Sequence, residues 1–268
     1  MKWTLPRRSR GTRRALTALS AITLAAGAAI IAAPAAQAHP GARTTYYVST
    51  TGRDSNSGTN PSSPWASLSK VDSTTFQPGD RILFRSGDSW TGQLWPKGSG
   101  SAGAPITIGS YGPGNKPSFA GAGTVPDAVK LWNQQYWTIT GIDASNYAGS
   151  STSDLRDFRA IHVGGDDSQT LTGFTIDGVS VHDVTGVDNW IGGSTSNNRP
   201  GINFQMGWDR AKNTGGIVFN TTVPNIAAPP SRPTILNDIV IENSSIKNTS
   251  WGGIVLKQYS GTSPGATA

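Results

Sequence analysis

The sequence predicts an all-β protein in which short strands stack as a solenoid. Three segments, at residues 138–146, 175–183 and 240–248, align with one another without gaps. Each contains two short stretches with apolar side chains at alternate positions, joined at a Gly or Asn corner, and this is the period of a strand with one buried face. No long stretch has helical apolar spacing, and Gly, Ser, Thr and Asn are abundant. Units this small bury their apolar faces only by stacking on one another.

The first 38 residues have the features of an export signal. Six Lys and Arg residues precede an apolar stretch at about 15–33, and Ala36-Gln37-Ala38 supplies the small residues of a cleavage site. The pair Arg13-Arg14 resembles a twin-arginine export signal, with an ordinary Sec signal as the alternative. We therefore predict a signal peptide at 1–38 and a secreted, extracellular domain at 39–268 that has no membrane association after cleavage.

The charge balance argues against a nucleic-acid partner. The chain has 22 Lys and Arg and 16 Asp and Glu residues, and six of the basic ones lie in the first 38 residues, which contain no acid. The remaining 230 residues therefore carry no net charge, and nothing in them favours binding to a phosphate backbone. Cysteine is absent, which excludes disulfides, thiolate metal sites and a cysteine nucleophile.

The elements after the leader follow in a clear order. A first strand is predicted at 46–49, then a polar loop at 50–64, then a short helix at 65–71 that covers the end of the stack. The repeats follow, and a Gly-, Asn- and Pro-rich stretch at about 185–233 is the longest departure from them, so a long loop insertion is predicted there.

Several motifs in the first half resemble those of a known superfamily. They are Phe-Gln-Pro-Gly-Asp-Arg-Ile-Leu-Phe-Arg-Ser-Gly-Asp-Ser-Trp from Phe76, Ala-Pro-Ile-Thr-Ile-Gly-Ser-Tyr-Gly-Pro-Gly-Asn-Lys-Pro from Ala104, the Tyr-Tyr-Val-Ser opening, the loop at 54–59 and Trp65. Together they resemble the entry to secreted proteins of the pectate-lyase-like superfamily. The resemblance implies a right-handed parallel β-helix. It does not fix the reaction, because that superfamily includes lyases, hydrolases, epimerases and non-catalytic proteins.

A second set of strands is predicted to line one outward face of the coil. The candidate strands are 129–131, 161–163, 217–219 and 254–256, with Lys130, His162, Val218 and Val255 pointing outward. Relatives of this superfamily carry their substrate cleft on such a face, so Lys257, His162 and Lys130 are the candidate catalytic bases. Histidine titrates near neutral pH, and lysine does so when burial or nearby positive charge lowers its pKa.

The predicted substrate is an extracellular polysaccharide. The main prediction is a lyase that cleaves uronate-containing chains by β-elimination, which requires a base, a proton donor and neutralisation of the sugar carboxylate. Trp190 and Trp208, in the predicted loop insertion, are candidate platforms for sugar rings, and Arg159 is a candidate ligand of an acidic sugar.

Calcium neutralises the carboxylate in similar lyases, so a calcium site is predicted from the oxygen ligands Asp166, Asp167, Asp177 and Glu242. Asp177 and Glu242 occupy the same position in two repeats and should face outward side by side. The competing interpretation is that all four are solvated turn or strand residues.

Two other functions remain open. A glycoside hydrolase of the same fold would use two carboxyl groups that flank the glycosidic bond, and the sequence does not choose among the acid pairs. A non-catalytic carbohydrate-binding or surface protein is the other alternative. We expect a monomer. The chain closes with Ser-Gly-Thr-Ser-Pro-Gly-Ala-Thr-Ala and no capping segment, which predicts a truncated end or a partner that covers it.

One structural column is also predicted. Asn146, Asp183 and Asn248 occupy the same position in the three aligned segments, so their side chains are expected to stack at one corner of the coil.

Overall fold

We analysed the protein as a computed structural model, which describes residues 43–149, 157–186, 214–223 and 230–257. All of these belong to one compact unit, His39–Ala268. The predicted signal peptide, Trp190 and Trp208 lie outside the described residues. Within the described ranges, no helix is long and apolar enough to cross a membrane.

The described chain is almost entirely β-structure, with fifteen strands and one short helix. In chain order, the elements are β1 (Thr45–Val48), α1 (Leu68–Asp72), β2 (Arg81–Arg85), β3 (Ser89–Thr91), β4 (Ile106–Tyr111), β5 (Ser118–Ala120), β6 (Asp127–Trp132), β7 (Trp137–Thr140), β8 (Asp143–Asn146), β9 (Arg159–Gly165), β10 (Thr170–Asp177), β11 (Ser180–Val184), β12 (Gly215–Thr221), β13 (Ile235–Glu242), β14 (Ser245–Thr249) and β15 (Gly252–Lys257).

These strands form three parallel sheets. Sheet 1 has the order β1-β2-β4-β7-β10-β13, sheet 2 has β3-β5-β8-β11-β14, and sheet 3 has β6-β9-β12-β15. From β4 onward the chain visits sheets 1, 2 and 3 in turn and repeats this order four times. Each strand therefore lies beside the strand one coil earlier, and the arrangement is consistent with the predicted parallel β-helix.

The register confirms the alignment of the repeats. Ile139 pairs with Ile176 and Ile176 with Ile241 in sheet 1, and Ala144 pairs with Val181 and Val181 with Ile246 in sheet 2. Alternation of apolar and polar residues fixes this register, because a slip by one residue would turn the apolar set outward.

The core consists of apolar columns that run through successive coils. In sheet 3, Val129, Ile161 and Ile217 are fully buried one above another, whereas Ile254, the next member of this column, is 46% exposed. Leu256 ends a neighbouring column and is 64% exposed. Residues 258–268 lie outside the described part, so the predicted truncation stays a prediction.

The helix begins three residues later than predicted. Trp65 forms a parallel bridge with Val48, and Ser67 caps the helix, its Oγ accepting a hydrogen bond from the Lys70 backbone N–H at 3.1 Å. Leu68 is buried on the inner side of α1. A serine at this position satisfies a donor that the first helical turn leaves unpaired.

The predicted column of Asn146, Asp183 and Asn248 is wrong for Asn146. The register shifts between His182 and Val184, so Asn146 lies opposite Val184. Asp183 has φ 50° and is the extra residue of this bulge. Asn248 does donate a hydrogen bond from Nδ2 to Asp183 Oδ1 at 3.0 Å, as a shared position requires.

Asn146 instead fills the corner between sheets 2 and 3. Its side chain is fully buried, and its Oδ1 accepts a hydrogen bond from the Gly123 backbone at 3.0 Å. Its Nδ2 lies within hydrogen-bond distance of three backbone carbonyl oxygens, those of Val125, Pro126 and Arg159. One side chain thus links three segments of the chain at the point where the coil bends.

Part of the predicted loop insertion at about 185–233 is a strand. β12 spans Gly215–Thr221 within that range and pairs with both β9 and β15 in sheet 3. Residues 187–213 and 224–229 lie outside the described residues.

Candidate functional site

The outward face of sheet 3 brings the predicted catalytic residues onto one surface. Lys130, His162, Val218 and Val255 pair in succession, as predicted. A bridge between Leu94 and Val129 places Trp95 beside Lys130 at the start of this column. These side chains differ in accessibility, because His162 and Val218 are buried whereas Lys130 and Val255 are half-buried.

A charged cluster, made of Asp127, Asp157, Arg159, His162 and Asn220, occupies the middle of this face. Arg159 Nε donates a hydrogen bond to Asp127 Oδ1. His162 Nε2 hydrogen-bonds to Asn220 Oδ1, and an amide oxygen only accepts, so Nε2 must carry the proton. His162 Nδ1 lies 3.1 Å from Asp127 Oδ1 but is not aligned for a hydrogen bond.

The two carboxyl groups of the charged cluster differ in their electrostatics. Burial raises the pKa of Asp127, but His162 and Arg159 outweigh burial and lower this pKa to about 2. Burial also raises the pKa of Asp157, and there Arg159, Thr214 and the other neighbours only partly offset it, so the pKa stays above the ordinary value. One carboxyl is therefore held ionised and the other retains its proton more strongly, which is the pattern that separates acid from base in many active sites.

The other half of the face, the lysine–tryptophan patch, consists of Trp95, Lys97, Lys130 and Trp132. Lys97 Nζ lies 3.2 Å from the centroid of the Trp95 ring. Lys130 Nζ lies 4.3 Å from the same ring and 5.1 Å from the Trp132 ring. All four side chains are half-buried, so indole faces and ammonium groups reach the surface together.

Trp132 connects the two halves. Its ring lies 5.4 Å from the His162 ring, measured between centroids, and its Nε1 donates to Asp166 Oδ1 at 3.1 Å. The ring lies over Gly164, where a Cβ would come within 2.5 Å of the Trp132 ring and 2.3 Å of the Asn220 carbonyl oxygen. Any other residue at 164 would displace the ring.

Asp72 is a third carboxyl with a perturbed pKa. It is the last residue of α1 and accepts a hydrogen bond from the Trp95 backbone N–H at 2.7 Å. Burial raises the pKa of Asp72 to about 6, against the opposing effects of this hydrogen bond and Lys97. The pKa of Lys97 is in turn lowered, mainly by burial.

Of the predicted catalytic residues, His162 lies in the charged cluster, Lys130 belongs to the lysine–tryptophan patch, and Lys257 pairs with Asn220 at the end of β15. Arg159, predicted to bind substrate, is buried against Asp127 and so helps to position the cluster. Trp190 and Trp208 lie outside the described residues, and their predicted roles stay predictions.

The predicted calcium ligands form two separate pairs. Asp166 and Asp167 follow β9, whereas Asp177 and Glu242 pair in sheet 1, as expected from the repeat. Asp177 Oδ1 accepts a hydrogen bond from Asn243 Nδ2 at 2.9 Å. Among the described residues, no group of three or more His, Asp or Glu side chains is arranged to hold a metal ion. Calcium binding therefore stays a prediction from the resemblance.

Sheet 2 carries a second polar surface. A shallow groove of about 500 Å³ lies over it, lined by Gly87, Ser89, Asn115, Lys116, Ser118, Asp143 and Ser180. Next to it, the His182 ring lies between two carboxylates, with Nδ1 2.8 Å from Asp183 Oδ2 and Nε2 3.1 Å from Asp143 Oδ1. These hydrogen bonds raise the pKa of His182. The lining residues include no aromatic ring to hold a sugar face.

Five residues that the structure brings to this face were not predicted as functional from the sequence: Asp127, Asp157, Asn220, Asp72 and Trp95. One signal was available: Asp127 precedes the strand at 129–131 by two residues, and Arg159 precedes the strand at 161–163 by the same distance. Opposite charges at equal offsets in two aligned strands indicate an ion pair between adjacent coils. No such signal exists for Asp72, which reaches the face from α1.

The comparisons with known proteins point to glycoside hydrolases. No protein-family model matches the sequence. A lacto-N-biosidase of Bifidobacterium longum subsp. longum is 33% identical over 171 residues, which cover 58% of this chain and 10% of the relative. Two crystal structures of the GH136 lacto-N-biosidase from Eubacterium ramulus share the fold, with TM-scores of 0.61 and 0.60 and identities of 23% and 24%. They are matched over 77% and 79% of this chain and over 34% and 36% of theirs.

These relatives overturn the prediction of a lyase. They are hydrolases of glycosidic bonds, so they favour the alternative of a glycoside hydrolase over β-elimination from a uronate. The chain spans about a tenth of the length of the curated relative and about a third of the solved structures.

Proposed function

We propose that this protein is a right-handed parallel β-helix that acts on oligosaccharides or polysaccharides as a glycoside hydrolase, with the outward face of sheet 3 as its active surface. The observation that carries the proposal is the charged cluster, in which Asp157 has a raised pKa beside the buried ion pair of Asp127 with Arg159. The similarity to lacto-N-biosidases supports the same reaction type and suggests a lacto-N-biose unit as the sugar released.

Asp157 is the proton donor in this proposal. Its raised pKa leaves a larger fraction of the carboxyl protonated at a given pH than in an ordinary aspartate. The proton passes to the glycosidic oxygen as the bond from that oxygen to the anomeric carbon breaks. Water then supplies a hydroxyl group to the anomeric carbon, and its remaining proton passes to Asp157, which has become a carboxylate by donating its own proton.

Asp127 acts as a positioning residue. Its side chain is only 1% exposed and lies against Arg159 and His162, so it does not reach a sugar in this arrangement. Its negative charge holds the Arg159 guanidinium and the His162 ring in place beside Asp157. Asp166 does not serve as the second carboxyl beside Asp157, because the seven-residue strand β9 lies between them and is roughly 23 Å long, against the roughly 5–9.5 Å that glycoside hydrolysis requires.

The lysine–tryptophan patch extends the face for further sugar residues. Indole rings provide large apolar surfaces for the C–H faces of sugars. Trp132 lies one coil away from His162, and Trp95 is one coil further. With adjacent strands about 4.8 Å apart, the two rings cover about 10 Å beyond the charged cluster.

The test is product analysis with a lacto-N-bioside that carries a further sugar. Wild-type protein is expected to generate new reducing ends without an ultraviolet-absorbing unsaturated sugar, and Asp157→Asn is expected to lose at least about a hundredfold in kcat. Asp177→Asn, which changes a carboxyl on sheet 1, serves as the matched control and should retain wild-type activity. Equal activity of Asp157→Asn and wild type would contradict the assignment of the acid.

A non-catalytic carbohydrate-binding protein of the same fold is the second candidate. The burial of Asp127 favours it, because in the described part of the charged cluster Asp157 is then the one carboxyl within reach of a sugar. Saturable binding of the same oligosaccharide with no new reducing ends after prolonged incubation would support this candidate against the hydrolase.

Export completes the proposal: the protein is secreted after cleavage behind Ala38 and acts outside the cell as a monomer. The basic, apolar and small-residue segments of the leader support export. The intact mass of the secreted protein should correspond to residues 39–268, and recovery of the whole chain from the cell would contradict the predicted cleavage.

A further inference from the structure

Two lysine side chains in the lysine–tryptophan patch lie on aromatic rings and make no ion pair with any described residue. Among the described residues, neither the Lys97 nor the Lys130 ammonium group makes a hydrogen bond or an ion pair. Both contact the Trp95 ring instead, at 3.2 and 4.3 Å from its centroid. Two positive charges that converge on one indole repel each other, and this repulsion contributes to the lowered pKa of Lys97.

Asp72 only partly offsets the positive charge of Lys97. Asp72 interacts electrostatically with Lys97, but burial raises the pKa of Asp72 to about 6 and its Oδ1 accepts the Trp95 backbone N–H. At mildly acidic pH, Asp72 is largely neutral. The patch then presents two ammonium groups and two half-buried indole rings on one side of the sheet.

We infer that the lysine–tryptophan patch is a subsite for a sugar that bears an anionic substituent, a carboxylate or a sulfate. This inference rests on the proposed function, because it concerns the substrate of the same face. The sugar ring would stack on Trp95 or Trp132, and the anionic group would lie between the Lys97 and Lys130 ammonium groups. Lysine binds such groups as a compact point charge, without the planar geometry that arginine requires.

The subsite lies away from the bond that is cleaved. Lys130 pairs with His162 in the next coil, about 4.8 Å from it, and Trp95 is one coil further, about 10 Å from His162. The anionic sugar would therefore occupy a neighbouring position on the substrate. It would increase affinity without taking part in bond cleavage, so neutral and acidic substrates should differ in KM and share a similar kcat.

The test is calorimetric binding of three probes to the Asp157→Asn protein, in which turnover is blocked. The probes are lactose, a sialylated lactose that carries a carboxylate, and a sulfated lactose. At least one acidic probe is expected to bind about tenfold more tightly than lactose at low salt, and the preference should decline as salt screens the charges. The acidic probe that binds more tightly identifies the substituent. Equal affinity for all three would overturn the inference.

Substitution of both lysines by glutamine (K97Q/K130Q) should reduce affinity for the acidic probe about tenfold or more and leave lactose binding unchanged. Lys130→Arg retains the charge and should keep most of the preference. Lys116→Gln, on sheet 2, is the matched control and should have no effect. An unchanged preference in a folded K97Q/K130Q protein would overturn the inference. If wild type does not hydrolyse the lacto-N-bioside but the acidic probe still binds more tightly than lactose, only the proposed function is refuted.

Discussion

Substitution of Asp127 by asparagine should destabilise the protein and alter its response to acid. Asp127 has a buried side chain that faces both Arg159 and His162. A carboxyl whose pKa falls from 3.8 to about 2 on folding contributes about 2 kcal/mol to stability. Breaking a buried ion pair costs about 3–5 kcal/mol in other proteins. We therefore expect Asp127→Asn to lower the free energy of unfolding by about 3 kcal/mol at pH 7.

The pH dependence gives this prediction its specificity. Because folding lowers the pKa of Asp127, its contribution is fully present above the unfolded pKa near 4 and is lost as the pH falls through 2. The difference between wild type and Asp127→Asn should therefore be largest at pH 5–7 and shrink towards pH 2. Without an ionisable group at 127, the variant should lose less stability over that range.

Urea unfolding followed by circular dichroism at pH 7, 4 and 2 measures this difference. A loss of about 3 kcal/mol corresponds to a midpoint about 1 M lower in urea. Asp177→Asn is the control, because Asp177 is half-exposed at the end of β10, and it should change stability by less than about 0.5 kcal/mol. The prediction is refuted if the urea midpoint of Asp127→Asn lies within about 0.2 M of wild type, a difference on the order of that expected for the control. Asp127 would then not be the charge that organises the cluster.

Three further predictions concern other polar residues. Asn146→Leu should lower the free energy of unfolding by about 3 kcal/mol or more, measured in urea, because it leaves buried backbone groups unpaired. Asn248→Leu removes an exposed hydrogen bond and should lower the melting temperature less than Asn146→Leu does. Equal losses in the two variants would contradict the corner role of Asn146. Because folding raises the pKa of His182, the protonated ring stabilises the fold below pH 6.5, and this effect is lost as the pH rises through the folded pKa. The melting temperature of wild type should therefore fall more between pH 6 and 8 than that of His182→Gln. Parallel curves for the two proteins would argue against this role of His182. Because the pKa of Asp72 is raised to about 6, ionisation of this carboxyl should reduce the stability of the fold as the pH rises from 4 to 6. Asp72→Asn keeps the hydrogen-bond acceptor and should remove that loss. An NMR signal of the Asp72 carboxyl that titrates near 4 would refute the raised pKa.

The sequence predicted the register because side-chain alternation carries that information. Ile139, Ile176 and Ile241 align in the structure as they do in the printed repeats, and the sheet 3 strands bring Lys130 and His162 side by side as expected. In a stacked fold, residues at equal offsets in successive repeats become neighbours, so a correct alignment of repeats also places the outward side chains.

The errors have identifiable physical causes. Asn146 left its expected column because a bulge at Asp183 inserts one residue, and a left-handed backbone at an aspartate is not evident from spacing. Trp95 lies outside the aligned repeats, and its position beside Lys130 depends on a single bridge. Asp72 reaches the face through the packing of α1, which no periodicity reports.

The reaction could not be predicted from residue types alone. Lysine, histidine and aspartate on one face suit both elimination and hydrolysis, and the resemblance that indicated the fold is shared by proteins with several chemistries. What favours a hydrolase is the similarity to lacto-N-biosidases, together with a cluster in which Asp157 has a raised pKa beside the ionised Asp127. Both pKa values depend on burial, which the strand pattern does not specify.

The most direct test of the proposed hydrolysis compares two lacto-N-biosides that differ only in the leaving group. One carries a sugar, which needs a proton to depart, and the other carries a nitrophenol, which does not. If Asp157 donates the proton, Asp157→Asn should slow cleavage of the first at least about a hundredfold and that of the second far less. Equal losses on both substrates, or activity of Asp157→Asn equal to wild type on the first, would contradict the account.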